Sequence, residues 1–301
     1  MAITKIPNLT YKTPRITPLY HRQNEGHRSA VAILRLDEIH PVISGNKWFK
    51  LRYNLEAALA KNHSSLLTFG GAYSNHLIAT AAAAKEAGLK SIGIIRGYHS
   101  REHRTPTLLA CEAMGMHLHV VSREAYKRKE DAAWLSELEQ QFPGAYILPE
   151  GGNNDLGKKG VTEIAAYIPE NTTHIAVSVG SGTTLAGLRN ALPEHIKLLG
   201  FVPMKNGKYL MDKTPSAKGN WEWIDEYHFG GFGKWNEELL GFMNDFYKHY
   251  QVPLDVVYTA KMMYGVQRLW QQQYFPIRAN VLCIHTGGLQ GNISVKERLV
   301  F

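Results

Sequence analysis

The feature that most constrains this fold is the alternation of short apolar runs with longer helical patterns along most of the chain. Apolar runs read as strands at Ala30–Leu36, Ser65–Phe69, Lys90–Ile95, His117–Val121, Ala145–Leu148, His174–Val179, Lys197–Phe201 and Asn280–Ile284. Helices are predicted between them, over Asn46–Lys61, Ser74–Ala87, Thr105–Met114, Glu130–Gln141, Gly157–Tyr167, Thr183–Leu192, Trp235–Tyr250 and Lys261–Gln273. Leu51, Leu55 and Leu59 fall on one face of the first, and Gly88 and Gly115 stand where C-terminal glycines end the second and third. Such alternation implies an α/β fold with mostly parallel sheets and helices on both faces. Ligands in these folds sit beyond the carboxyl ends of the strands, so the loops leaving strands are where chemistry is expected.

Bulk properties exclude several function classes. With 301 residues the chain can bury a large core. It holds no apolar run long enough for a membrane span, and Met1–Thr10 lacks a secretory pattern, which points to the cytoplasm. The net charge of +8 comes from scattered basic residues without a nucleic-acid recognition motif. The short cluster Tyr126-Lys127-Arg128-Lys129 reads as a solvated helix face. A diffuse positive field favours small anions such as phosphate or carboxylate. Cys111 and Cys283 lie outside any metal-ligand spacing and read as buried thiols, so no metal is expected.

Three strand-exit loops are unusual. Phe69-Gly70-Gly71-Ala72-Tyr73-Ser74-Asn75-His76 turns on two glycines and opens a helix with small polar residues. Ser74 or Asn75 alone would cap that helix, but capping does not account for the whole run. Val179-Gly180-Ser181-Gly182-Thr183-Thr184 offers N–H and hydroxyl donors at a helix start, a cradle suited to phosphate. It is neither a dinucleotide fingerprint, whose third glycine would fall at Leu185, nor a P-loop. His285-Thr286-Gly287-Gly288-Leu289-Gln290-Gly291 follows the last strand and taken alone reads as a turn. Lys47 differs from the many other lysines by its context, Ser44-Gly45-Asn46-Lys47. Ser44 or Asn46 can cap a helix there, placing Lys47 at the positive end of the dipole with Lys50 one turn on. Both influences lower the pKa of Lys47 toward the neutral amine that imine chemistry requires.

Ser44–Leu51, Gly70–His76, Gly180–Gly187 and Thr286–Gly288, in that order, resemble the 1-aminocyclopropane-1-carboxylate (ACC) deaminase and D-cysteine desulfhydrase family. Arg96-Gly97, Thr105–Leu109 and Pro149–Asn153 add to the likeness, which runs from about residue 15 to the end. The resemblance implies the tryptophan-synthase-β-like fold, type II among pyridoxal 5′-phosphate (PLP) enzymes: two domains, each a mostly parallel twisted sheet flanked by helices. The larger domain is expected from residues 1–49 plus 156–301, the smaller from 50–155. Lys47 is expected to hold PLP covalently and to shuttle a proton. Asn75 is expected to bond the cofactor's 3′-oxygen. Gly180, Ser181, Gly182, Thr183 and Thr184 are expected to hold its phosphate with Lys50. Ser74 and the N–H groups of Asn75 and His76 are expected to hold the substrate carboxylate.

Within that family, ring-opening enzymes carry Tyr-Glu before the late helix and Leu before the last Gly-Gly. This chain has Tyr258-Thr259 and Thr286, which is similar to the D-cysteine desulfhydrase side. A hydroxyl facing the pyridine nitrogen supplies no charge, and β-elimination of a thiolate needs less electron withdrawal than ring cleavage. Tyr258 is the candidate second acid/base. Phe232 stands where Tyr is frequent, and Ala260 where Gly is. The implied activity is β-elimination from a small amino acid, D-cysteine giving pyruvate, ammonia and sulfide, in a homodimer without nucleic-acid or membrane partners. The alternatives are ACC deamination, action on another β-substituted or D-amino acid, and a non-catalytic PLP-binding or nucleotide-binding protein. The stretch Met204–Lys234 reads as a loop-rich excursion bordering the site.

Overall fold

A computed structural model of the chain describes residues 10–24, 27–207, 209 and 219–301. The N-terminal residues 1–9, read above for a leader, and 208 and 210–218 of the excursion lie outside the described residues. The strands are β1 (Ile16–Asn24), β2 (His27–Arg35), β3 (Ser65–Gly70), β4 (Lys90–Arg96), β5 (Met116–Val121), β6 (Ala145–Leu148), β7 (His174–Ser178), β8 (Lys197–Phe201), β9 (Trp221–Ile224) and β10 (Asn280–His285). They form a six-stranded sheet in the order β1-β2-β10-β7-β8-β9 and a four-stranded sheet in the order β5-β4-β3-β6. Every pairing is parallel except β1 with β2. The expected α/β architecture is therefore present, with one antiparallel edge.

The helices are α1 (Asn46–Ala60), α2 (Asn75–Glu86), α3 (His99–Glu102), α4 (Pro106–Ala113), α5 (Arg123–Lys127), α6 (Ala132–Gln141), α7 (Asp155–Thr162), α8 (Thr183–Ala191), α9 (Glu237–Tyr250) and α10 (Thr259–Gln271). Their starts follow ordinary capping chemistry. Ser74, Thr105, Ser122, Asp131, Asn154 and Asn236 each accept a backbone N–H within the first turn of the helix they open. Strand β3 is buried along its whole length, as a central parallel strand must be when helices cover both faces. Both cysteines are fully buried, and burial raises their thiol pKa values, Cys111 to about 12.

Two readings need correction. Strands β1 and β9 are absent from the predicted set, and β9 lies inside the stretch read as loop. The Tyr126–Lys129 cluster is not a wholly solvated face. Tyr126 is buried, donates to Glu150 Oε1 at 2.8 Å and packs beneath the Lys129 ammonium. Among the described residues no helix is long and apolar enough to cross a membrane.

The carboxyl ends of the two sheets converge. Asn75, just beyond β3, meets Gly288, just beyond β10: its Nδ2 donates to the Gly288 carbonyl at 3.4 Å, and its Oδ1 accepts from the Gln290 N–H at 3.3 Å.

Candidate active site

The start of α1 is built by close backbone approach. Gly45 has φ 67°, and a β-carbon there would overlap the Thr286 carbonyl, so only glycine fits. Asn46 N–H then donates to that carbonyl at 3.1 Å. The expected side-chain cap from Ser44 or Asn46 is not what forms. Gly45 is the N-cap, Ser44 Oγ donates to the Asp37 carbonyl at 3.1 Å, and Asn46 is already helical. Asn46 serves the site differently: its Nδ2 donates to Thr184 Oγ1 at 2.8 Å, and its Oδ1 accepts from Lys47 Nζ at 2.7 Å. One amide thus couples the Lys47 amine to the first turn of α8. Burial pulls the Lys47 pKa down to about 8, against an opposing pull from the Asp255 charge. Burial, rather than the helix end, leads, and Asp255 was not anticipated.

The turn Gly180–Gly182 carries the chain from β7 into α8, whose N-cap, Gly182, offers no side chain. The first N–H groups of such a helix have no intrahelical partners. Ser181 Oγ and Thr183 Oγ1 lie 2.8 Å apart, and Thr183 donates to Asn153 Oδ1 at 2.9 Å. The loop before Asn153 closes the cradle, since a β-carbon on Gly151 would come within 3.1 Å of Ser181 Oγ, and one on Gly152 within 3.1 Å of Lys50 Cβ. Lys50 is 3% exposed, and among the described residues its ammonium has no hydrogen-bond or ion-pair partner. Its pKa is driven well below the ordinary lysine value by burial first and by Lys47 second. A buried amine lacking a carboxylate, close to a loop that meets a turn rich in N–H and hydroxyl donors, is chemistry that suits an anion. These residues fit a phosphate monoester.

In the Gly70–His76 loop, Ser74 caps α2, accepting from Leu77 N–H at 3.3 Å. Asn75 is gripped by the Gly288 loop, where a β-carbon on Gly288 would overlap the Asn75 amide. His76 turns its ring into the core, 3% exposed, and its Nε2 lies 2.9 Å from Thr68 Oγ1. Because Thr68 donates to the Leu148 carbonyl at 2.9 Å, the His76 ring is the donor in that pair. Burial, then Lys47 and Lys50, keep the ring neutral. The backbone N–H of His76, in the first turn of α2, has no intrahelical partner.

Tyr258 packs against the Gly180–Gly182 turn: a β-carbon on Gly180 would lie 3.3 Å from its ring. Burial, reinforced by Asp255, raises the phenol pKa well above its ordinary value, so it stays protonated and can give a proton rather than take one. The exposed Phe232 ring meets it edge-on, with centroids 5.7 Å apart. Thr259 is fully buried, and its Oγ1 accepts from Asp255 N–H at 2.7 Å. Thr286 is buried and contributes its carbonyl to the α1 start.

Three residues were given no role from the sequence. Asp255 is 1% exposed. Its Oδ1 accepts from Val257 N–H and Tyr258 N–H, both at 2.7 Å, and its Oδ2 has no partner among the described residues. Burial raises its pKa to about 6. His285 is fully buried, with Nε2 2.7 Å from the Pro253 carbonyl and Nδ1 accepting from Gly287 N–H at 3.1 Å. Lys261 is 2% exposed and points at three carbonyls. The only signal for Asp255 was its residue type just before a helix start, where an Asp side chain commonly accepts from the backbone N–H groups two and three residues on.

Comparison with known proteins gives the chain a family. The family model described as "Pyridoxal-phosphate dependent enzyme" matches residues 11–287. A Pyrococcus horikoshii protein, provisionally named a 1-aminocyclopropane-1-carboxylate deaminase, is 30% identical, covering 98% of each chain. The Arabidopsis thaliana "Bifunctional D-cysteine desulfhydrase/1-aminocyclopropane-1-carboxylate deaminase, mitochondrial" is 27% identical over 95% of this chain and 80% of its own. A crystal structure of an "ACC deaminase homologue" superposes with a TM-score of 0.78 at 29% identity, covering 90% of this chain and 88% of that one.

Proposed function

The chain belongs to the pyridoxal-phosphate dependent enzymes, and from that premise we propose that it is a lyase that eliminates the β-substituent of a small amino acid, with D-cysteine as the type substrate. The observation that carries this reading is the link from Lys47 Nζ through the Asn46 amide to Thr184, which holds a low-pKa amine beside an anion cradle. PLP, when bound, supplies a ring that stabilises negative charge on the amino acid's α-carbon. Gly180–Thr184 and Lys50 would hold its phosphate, and Asn75 would meet its 3′-oxygen. Ser74 and the N–H groups of Asn75 and His76 orient the substrate carboxylate. Lys47 Nζ, neutral at a modest cost because of its lowered pKa, takes the α-proton. Tyr258, held protonated, gives its proton to the departing sulfur. The products from D-cysteine and water are pyruvate, ammonia and hydrogen sulfide.

Thr259 in place of Glu favours elimination over ring cleavage, since a hydroxyl supplies no fixed negative charge, and Thr286 in place of Leu matches the same side of the family. By family resemblance we place the enzyme in the cytoplasm as a homodimer. The test is a panel of D-cysteine, L-cysteine and ACC on purified protein, with pyruvate, ammonia and sulfide measured separately. D-cysteine is expected to yield all three in equal amounts, and Lys47→Ala to lose about 10³-fold or more in rate. Faster turnover of ACC than of D-cysteine would move the enzyme to the deaminase side.

A further inference from the structure

Lys261 lies on α10 three residues after Tyr258 and one turn from its own cap, yet it contributes nothing to the anion cradle. It is 2% exposed, and its Nζ donates to the carbonyls of Pro203 at 3.2 Å, His228 at 2.9 Å and Gly231 at 2.7 Å. An ammonium has three N–H donors, and here three carbonyls take them all. Two of these carbonyls close the turns of a single loop. His228 O also accepts from Gly231 N–H, and Gly231 O from Lys234 N–H, each at 3.0 Å, while Gly230 N–H donates to His228 Nδ1 at 3.0 Å.

The loop needs such a hold. Phe229 has φ 50°, a conformation costly for a bulky side chain, and Gly231 follows at φ 125°. A segment of this shape persists only where its surroundings over-determine it. Phe229 packs edge-on against Tyr264, with centroids 4.9 Å apart, and Lys261 grips the backbone on either side of the bend. Next along the chain is Phe232, 53% exposed, its ring against Tyr258. Tyr258 in turn lies on Gly180. A physical path therefore runs from the Lys261 ammonium through the 228–231 backbone to Phe232 and the phenol facing the substrate.

We propose that Lys261 is a positioning residue that holds the His228–Gly233 loop, and with it Phe232, over the amino-acid side of the site, so that affinity for the amino acid depends on it while cofactor retention does not. The proposal rests on the reading of Tyr258 as a substrate contact. It assigns the size limit of the substrate to the Phe232 edge, a wall whose place is set by a charge on another element.

The test uses PLP-loaded protein and three variants: Lys261→Met, Phe232→Ala and the double substitution. Lys261→Gln, which keeps two N–H donors, is made in parallel and takes the place of Lys261→Met should that variant not fold. Amide hydrogen exchange at Gly230, Gly231 and Lys234 is expected to accelerate at least about tenfold in Lys261→Met, with the cofactor's absorbance unchanged. D-alanine, which has no β leaving group, is titrated against that absorbance. Its apparent Kd is expected to rise about tenfold in each single variant and little further in the double one. On D-cysteine, KM is expected to rise by a similar factor and kcat to stay within about threefold. Unchanged exchange, unchanged D-alanine affinity or fully additive single effects would each overturn the proposal. So would a wild type that does not respond to D-alanine. Should D-cysteine fail as substrate, the elimination reading falls, and the exchange and D-alanine measurements still decide the role of Lys261.

Discussion

Asp255 is the residue whose chemistry the site exploits without touching the anion cradle. Its Oδ1 is saturated by two N–H groups, and its Oδ2 is buried without a partner. Burial is the largest influence, so the carboxyl prefers to be neutral, with a pKa of about 6 against an ordinary 3.8. A carboxyl whose folded pKa is raised stabilises the fold fully below its unfolded pKa and loses that contribution as pH climbs through the folded one. Between pH 4 and 7 the cofactor-stripped protein should therefore lose about 2 kcal/mol of stability that Asp255→Asn does not lose. Urea unfolding of both proteins at the two pH values checks this. Equal losses would mean that Asp255 ionises as freely in the fold as outside it. The same substitution removes the charge that holds the Lys47 pKa up, so the amine should titrate lower in the variant.

At the scale of elements, the spacing between Lys47 and the anion cradle is set by one glycine in α7 and one in α8. A β-carbon on Gly160 would overlap the Phe49 carbonyl of α1, and one on Gly187 of α8 would stand 2.6 Å from Val161 Cβ. Helix α7 can thus lie against both the helix carrying Lys47 and Lys50 and the helix opened by the Gly180–Gly182 turn. Gly160→Ala should cost about 3 kcal/mol, because a backbone carbonyl cannot step aside as a side chain can. Gly241 in α9 offers the contrast, with nothing within 4 Å of its β-carbon position, so Gly241→Ala should stabilise by up to about 1 kcal/mol. Chemical denaturation separates the two, and equal effects would show that α7 does not set the spacing. The sequence pattern places α7 late, at Gly157–Tyr167. Asp155–Thr162 is glycine-rich and weakly apolar, so periodicity is carried by the residues after it, which form a 3-10 turn at Glu163–Tyr167. What starts the helix is Asn154, whose side chain accepts from Gly157 N–H at 2.8 Å.

For the whole molecule, what could be read from the sequence follows from how local each interaction is. Central parallel strands are legible because both faces are buried and the apolar run is continuous, as in Leu66–Phe69. Edge strands β1 and β9 are not, since Pro18 and the bulge beside it break the pattern of one, and the other is only four residues long. The same division runs through the site. Gly180–Thr184 and Gly70–His76 are contiguous donors and declare themselves, whereas Asn153 and Asp255 matter only because folding brings them to Thr183 and toward Lys47. An anion at the cradle would therefore tie together α1, the 151–153 loop and the start of α8, which are far apart in sequence. Any ligand that binds the folded state alone stabilises by about 2.7 kcal/mol at a hundredfold excess over its Kd. Inorganic phosphate and PLP should each raise the unfolding midpoint of the cofactor-stripped protein at matched ionic strength, and pyridoxal without its phosphate should do so far less. Lys50→Met should be the more stable protein without ligand, by about 1–3 kcal/mol, because it no longer buries an amine lacking a carboxylate. It should also lose most of the protection by phosphate. Equal protection of both proteins in a thermal-shift titration would place the anion elsewhere and leave the burial of Lys50 without a chemical reason.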